Sequence, residues 1–157
     1  MEKQVQKLFS ILKKCDYTLA SAESCTGGLL GGEITSVPGS SRYYAGGIIA
    51  YANRIKISRL GVDEKLLNEE GAVSKKVALA MARGATKAFK TDIALSTTGI
   101  AGPSGSTGEK PVGLVYTAVS SPAGAEVSEN IFEGNRAEIR MKTVKTVLEL
   151  AASFIST

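Results

Sequence analysis

Three strand-like runs, residues 17–22, 46–51 and 92–98, alternate with stretches of helical spacing, and this alternation constrains the fold more than any other feature. Parallel neighbours in a sheet need a crossover connection, and a helix between two strands supplies one. In residues 2–14, Val5, Leu8, Phe9 and Leu12 recur at helical spacing. Residues 29–37 read as a helix weakened by Gly31 and Gly32, followed by a turn at residues 38–41. Asn53–Leu60 reads as a short helix closed by Gly61, and residues 75–90 as an alanine-rich helix with Ser74 as its N-cap. Two later strands, residues 112–120 and 127–133, are joined by only residues 121–125, too few for a crossover, so they pair antiparallel. Arg136–Ile155 closes the chain as a helix whose apolar face carries Ile139, Met141, Val144, Val147, Leu148, Ala151 and Phe154. The pattern predicts an α/β fold, a three-layer α/β/α sandwich on a mixed, mostly parallel sheet of about five strands. With 157 residues and no repeat or linker, a single domain over residues 1–157 is expected.

Composition narrows the chemistry. Histidine is absent, which removes Ser-His-Asp triads, Cys-His dyads and every histidine-containing metal site. Lys and Arg number 19 against 15 Asp and Glu, a net charge of +4 that suits a nucleic acid as well as a small phosphorylated substrate. There is no tryptophan and no basic block, so a dedicated nucleic-acid binder is not expected. Cys15 and Cys25 form no CxxC pair, and the N-terminus lacks a signal-peptide pattern, so a reducing, cytoplasmic setting is the expectation. The longest apolar stretch, residues 45–52, falls far short of a membrane span. Glycine is abundant, 17 of 157 residues, well above the roughly 7% of average proteins, so backbone geometry is in use.

Ligands of open α/β sheets gather beyond the carboxyl ends of parallel strands. If the first three strands are parallel, residues 23–28, 51–56 and 98–103 converge on one edge. The first segment, Glu23-Ser24-Cys25-Thr26-Gly27-Gly28, stands before a helix start. Its amides suit an anion, although Ser24 or Thr26 as a plain helix cap is the simpler alternative. It matches neither a dinucleotide fingerprint nor a P-loop. The second segment offers Tyr51, Asn53 and Lys56. Without histidine, a serine nucleophile needs another base, and a desolvated lysine is the usual substitute. At the ordinary pKa only about one lysine in 2,500 is neutral at pH 7, so burial or a neighbouring cation must lower it. The third segment, around Thr98, Gly99 and Gly102-Pro103, suits either an oxyanion contact or an ordinary turn. Arg136 and Arg140 open the last helix and suit a phosphate or an exposed face. Ser10-Ile11-Leu12-Lys13 matches an SxxK string but lacks its companion elements, and the acids Asp63, Glu64, Glu69 and Glu70 read as a solvated surface without metal-ligand spacing.

Together, Ala22-Glu23-Ser24-Cys25-Thr26-Gly27-Gly28, Tyr51-Ala52-Asn53-Arg54-Ile55-Lys56, Gly71-Ala72-Val73-Ser74, Gly99-Ile100-Ala101-Gly102-Pro103 and Lys110-Pro111-Val112-Gly113 closely resemble the CinA C-terminal domain family. The resemblance runs in order over nearly the whole chain. It implies a nicotinamide-nucleotide amidohydrolase, an NMN deamidase forming nicotinic acid mononucleotide and ammonia by a Ser-Lys mechanism without metal or cofactor. Carried over by position, Ser24 is the nucleophile and Lys56 its base, with Tyr51 the tyrosine of the same motif. Thr26, Gly27, Gly28, Asn53, Thr98, Gly99, Arg136 and Arg140 form the implied substrate-binding set. The amides near Gly27 or Gly99 would meet the oxyanion, and Arg136 or Arg140 the 5′-phosphate. The implied partner is a mononucleotide, with no membrane or nucleic acid, and the family suggests a homodimer. Longer members carry a preceding domain; the expectation here is the C-terminal domain alone, without pyrophosphate hydrolysis. Two competing classes are a non-catalytic nucleotide- or protein-binding member and a DNA-associated competence factor.

Overall fold

A computed structural model describes residues 1–156. Five strands, β1 (Leu19–Glu23), β2 (Tyr44–Ile49), β3 (Ile93–Gly99), β4 (Leu114–Ser121) and β5 (Gly124–Ile131), form one sheet in the order β2-β1-β3-β4-β5. β1 pairs in parallel with both β2 and β3, whereas β3–β4 and β4–β5 are antiparallel. The sheet is therefore evenly mixed instead of mostly parallel. Residues 100–113 hold no helix, so the chain turns back beside β3 instead of crossing over.

The helices lie on both faces. α1 (Glu2–Cys15), α2 (Leu29–Thr35) and α6 (Arg136–Ile155) cover one face, burying Val5, Leu8, Leu12, Leu30, Ile34, Val144 and Leu148 against Leu19, Ile93, Leu95 and Val119. α3 (Asn53–Leu60), α4 (Glu64–Glu70) and α5 (Lys75–Phe89) cover the other, where Leu60, Leu67, Val77, Met81 and Ala85 meet Ala20, Ala22 and Ala94. Side chains alternate across a strand. Leu19 thus faces α1, α2 and α6 while Ala20 and Ala22 face α5, and β3 follows the same rule with Ile93 and Leu95 against Ala94. The small residues on the second face let α5 approach closely.

Three elements depart from the sequence reading. The acidic stretch read as surface folds into α4, with the Asp63 side chain accepting from the Lys65 amide at 2.9 Å. Only Leu67 of that helix is buried, so no periodic apolar signal marks it. β2 is an edge strand that alternates between half-buried and exposed and ends before Tyr51, instead of running buried through residues 46–51. β5 runs from Gly124 to Ile131 instead of 127–133, because the hairpin turns at Pro122–Ala123 and the strand starts directly after it. α6 opens on a reciprocal cap in which the Asn135 side chain accepts from the Glu138 amide and Glu138 accepts from the Asn135 amide. Among the described residues no helix is long and apolar enough to cross a membrane.

Gly84 marks where α5 crosses α3. A Cβ there would overlap the carbonyl oxygen of Leu60, which is backbone and yields little. Gly→Ala in a helix ordinarily gains up to about 1 kcal/mol, but forcing a methyl into a packed contact costs about 1–3 kcal/mol. Gly84→Ala is therefore expected to be net destabilising, read as a lower denaturation midpoint at unchanged slope.

Candidate active site

The carboxyl ends of β1, β2 and β3 lie side by side because the three strands are parallel. Ser24 immediately follows β1, and its amide donates to the Thr97 carbonyl at 2.9 Å, which holds it against β3. Alternation along β1 turns the Ser24 side chain toward the α3 face. There it meets Lys56, which is 1% exposed in the first turns of α3. Lys56 Nζ donates to the carbonyls of Ala50 at 2.8 Å and Tyr51 at 3.3 Å, and to Ser24 Oγ at 3.1 Å.

No acidic side chain pairs with this amine among the described residues. Burial therefore pushes the Lys56 pKa below the ordinary lysine value, with the neighbouring Cys25 acting weakly in the opposite sense. The same burial raises the Cys25 thiol to about 11, against smaller lowering effects from its own amide, Thr97 and Arg140. Cys25 is thus a protonated thiol at neutral pH, and Ser24 is the hydroxyl that the amine contacts.

A cleft of about 200 Å³ opens over the pair, lined by Ser24, Tyr51, Asn53, Lys56, Thr98 and Gly99, with Arg136 at its edge. Arg136 donates to the Gly102 carbonyl at 2.8 Å and to Tyr51 Oη at 3.0 Å. The Tyr51 ring is 61% exposed at the rim; its carbonyl, not its hydroxyl, contacts Lys56. Thr98 Oγ1 donates to the Ala72 carbonyl at 2.8 Å and so fixes the wall formed by Ala72 and Val73. That wall and Cys25 lie in the motifs quoted from the sequence but were given no site role there.

Thr26, Gly27, Gly28 and Arg140, by contrast, do not line the cleft. Thr26 is fully buried, and its hydroxyl donates to Glu23 Oε2 at 2.7 Å and pairs with Thr97 Oγ1 at 2.7 Å. The Gly27 amide donates to the Ser24 carbonyl. The amides of Gly28, Leu30 and Gly31 all donate to the Glu23 carboxylate, at 3.0, 3.0 and 2.8 Å. The start of α2 therefore already holds an anion, and it belongs to the protein. Arg140 donates through Nε to the Cys25 carbonyl at 3.1 Å and through Nη2 to the Thr26 carbonyl at 2.6 Å, so it is a clasp on the loop after Ser24. Ser10 and Lys13 sit on α1 in a separate surface groove with Phe9 and Tyr43. Among the described residues no group of three or more Cys, Asp or Glu side chains is arranged to hold a metal.

Fold and cleft together define an α/β/α domain with a half-buried serine against a buried lysine at the carboxyl edge of its parallel strands. Residues 1–155 match the CinA C-terminal domain, and the chain belongs to that family. It is 51% identical over 134 residues to a CinA-like protein of Geotalea uraniireducens, covering 85% of this chain and 32% of that one. A CinA-like protein of Desulfotalea psychrophila is 48% identical over 144 residues, 92% of this chain and 35% of the relative. The chain thus spans about a third of the length of these relatives. Among solved structures, the competence/damage inducible protein CihA of Agrobacterium tumefaciens superposes with a TM-score of 0.95 at 37% identity, covering 99% of this chain and 95% of that one. The competence damage-inducible protein A of Klebsiella pneumoniae gives 0.95 at 25% identity, with 99% and 96% covered.

The Arg140 clasp is testable. Arg140→Met keeps the aliphatic stem but leaves two carbonyls without their charged donor, an expected cost of about 1–3 kcal/mol. Thermal denaturation of the purified variant, read as a lower Tm, checks it.

Proposed function

We propose that the domain hydrolyses the carboxamide of nicotinamide mononucleotide, releasing ammonia and nicotinic acid mononucleotide. The observation that carries this reading is the 3.1 Å contact between Lys56 Nζ and Ser24 Oγ inside a cleft where the amine has no acidic partner. A neutral amine has two N–H bonds and one lone pair. With the Ala50 and Tyr51 carbonyls taking the N–H bonds, the lone pair is left to accept the Ser24 hydroxyl proton. Ser24 Oγ then attacks the carboxamide carbon, and Lys56 becomes an ammonium. The tetrahedral adduct collapses as Lys56 returns the proton to the departing nitrogen, which leaves as ammonia. Water, deprotonated by the same amine, hydrolyses the acyl ester and regenerates both side chains.

The cleft of about 200 Å³ is smaller than the ~300 Å³ or more of sites that swallow a drug-sized ligand. It suits the carboxamide ring, with the rest of the nucleotide leaving by the rim. Arg136, braced by Gly102 and Tyr51, is the cation on that rim and the proposed contact for the 5′-phosphate. Tyr51 acts in this reading by holding Arg136 and by lending its carbonyl to Lys56. Gly99 and Asn53 line the cleft, and the Gly27 amide is engaged, so the oxyanion contact falls to the backbone around Gly99.

Purified protein incubated with nicotinamide mononucleotide should release ammonia, and Ser24→Ala and Lys56→Ala should each lower kcat by about 10³-fold or more while still unfolding cooperatively. A silent wild type whose Tm rises with the nucleotide would replace the enzyme by a binding module. The active form needs Lys56 neutral, and burial lowers its pKa. The logarithm of kcat/KM should therefore rise with pH at unit slope and level off below the ordinary lysine value of ~10.4. A profile falling over that range would exclude Lys56 as the base.

A further inference from the structure

We propose that Glu23 is a positioning residue, the internal anion that locks the turn carrying Ser24; this rests on Ser24 being the nucleophile. Glu23 is the last residue of β1, 2% exposed, and alternation points it to the α2 face, opposite Ser24. A buried carboxylate without a cation costs several kcal/mol unless hydrogen bonds replace its water. Among the described residues no ion pair reaches Glu23. It accepts instead from four donors: the Thr26 hydroxyl and the amides of Gly28, Leu30 and Gly31. Charge-assisted bonds of this kind are the strong ones. All four donors lie in residues 26–31, so one rigid strand end dictates the path of the whole segment that follows the nucleophile.

Two further observations separate this role from ordinary capping. α2 has no side-chain cap of its own: its N-cap is Gly28, and Ser24, the hydroxyl that sequence placed there, caps nothing. Glu23 does that work from the sheet, which leaves Ser24 Oγ free to meet Lys56. The Thr26 hydroxyl also couples the turn to β3 through Thr97, so the strand that holds the Ser24 amide also holds the far side of the turn. The space is reserved for this arrangement. A Cβ at Gly31 would lie 2.9 Å from Tyr44 Oη and 3.4 Å from Glu23 Oε1, which accounts for a glycine inside a helix. A second consequence concerns specificity. With those amides occupied, α2 offers nothing to an anionic substrate, whose charge is turned toward Arg136.

The test uses the whole protein and two readouts: hydrolysis of nicotinamide mononucleotide, and the rate at which a fluorophosphonate labels Ser24. Glu23→Gln keeps the volume but presents an amide NH₂ to a ring of donors. It should lower kcat and the labelling rate by about 10²-fold, with KM changed by less than about threefold and hydrogen exchange at Gly28, Leu30 and Gly31 accelerated. If that variant does not fold, Thr26→Val should still slow labelling by about tenfold while Thr26→Ser restores it, a shift of about 1.4 kcal/mol in the barrier. Unchanged labelling in both Glu23→Gln and Thr26→Val, or a rise in KM alone, would overturn the proposal. A wild type that labels at Ser24 but leaves the nucleotide intact would sink the substrate assignment and leave Glu23 tested through labelling. A wild type that does neither would sink the nucleophile and this inference with it.

Discussion

The burial of the Lys56 amine without a countercharge is the constraint on which the site depends. Taking an ammonium out of water is costly, and the cost is lowest when the group gives up its proton. Three oxygen atoms surround Nζ, two of them carbonyls that can only accept and one a hydroxyl that can also donate. That set fits a neutral amine as well as an ammonium, which is the property a base needs if it is to take a proton and return it. An acidic residue in place of either carbonyl would pin the amine in its charged form. The chain supplies the carbonyls from Ala50 and Tyr51, just past the edge strand β2, where the backbone has left the sheet and its carbonyls are free to turn inward.

The geometry around that amine follows from the sheet. Parallel pairing of β1 with both β2 and β3 brings three strand ends to one edge, and alternation then divides the labour between the faces. Toward α2 point Glu23 and Thr97, which build the support; toward α3 and α5 point Ser24 and Thr98, which line the cleft. Neighbouring residues of one strand thus serve opposite sides of the molecule. The antiparallel β4 and β5 contribute to the edge differently. Residues 100–113, which connect β3 to β4, carry the Gly102 carbonyl that braces Arg136.

Much of this was legible in the sequence, and the reasons it was or was not are specific. The strand–helix alternation and the helix at Arg136–Ile155 rest on periodicity, the helix at Asn53–Leu60 on its closing Gly61, and the convergence of residues 23–28, 51–56 and 98–103 on the parallel pairing that the alternation implies. α4 was hidden because it buries too little apolar surface to leave a pattern, whereas β5 was read as a strand and only its bounds shifted. The destinations of Arg140, Thr26 and Glu23 were hidden for another reason. Each is a polar residue whose partner is backbone or a residue far along the chain, and sequence carries the donor without the acceptor. An arginine one turn into a helix reads the same whether it meets a phosphate or two loop carbonyls. For Glu23 a signal did exist. Strand parity put it on the face opposite Ser24, and Gly31, odd inside a helix, marked where its carboxylate would lie.

One local property links the two most perturbed side chains at the cleft. Cys25 and Lys56 are pushed in opposite directions, the thiol up to about 11 and the amine down, and in each case burial is the largest cause. Both shifts favour the uncharged form, so a single dry environment accounts for both. They also reinforce one another. A thiolate beside Lys56 would hold the amine protonated, as the opposing influence of Cys25 on its pKa indicates. Keeping the thiol neutral removes that obstacle, and the hydroxyl that contacts the amine is that of Ser24. In a chain without histidine, desolvation takes the place of a second titrating residue.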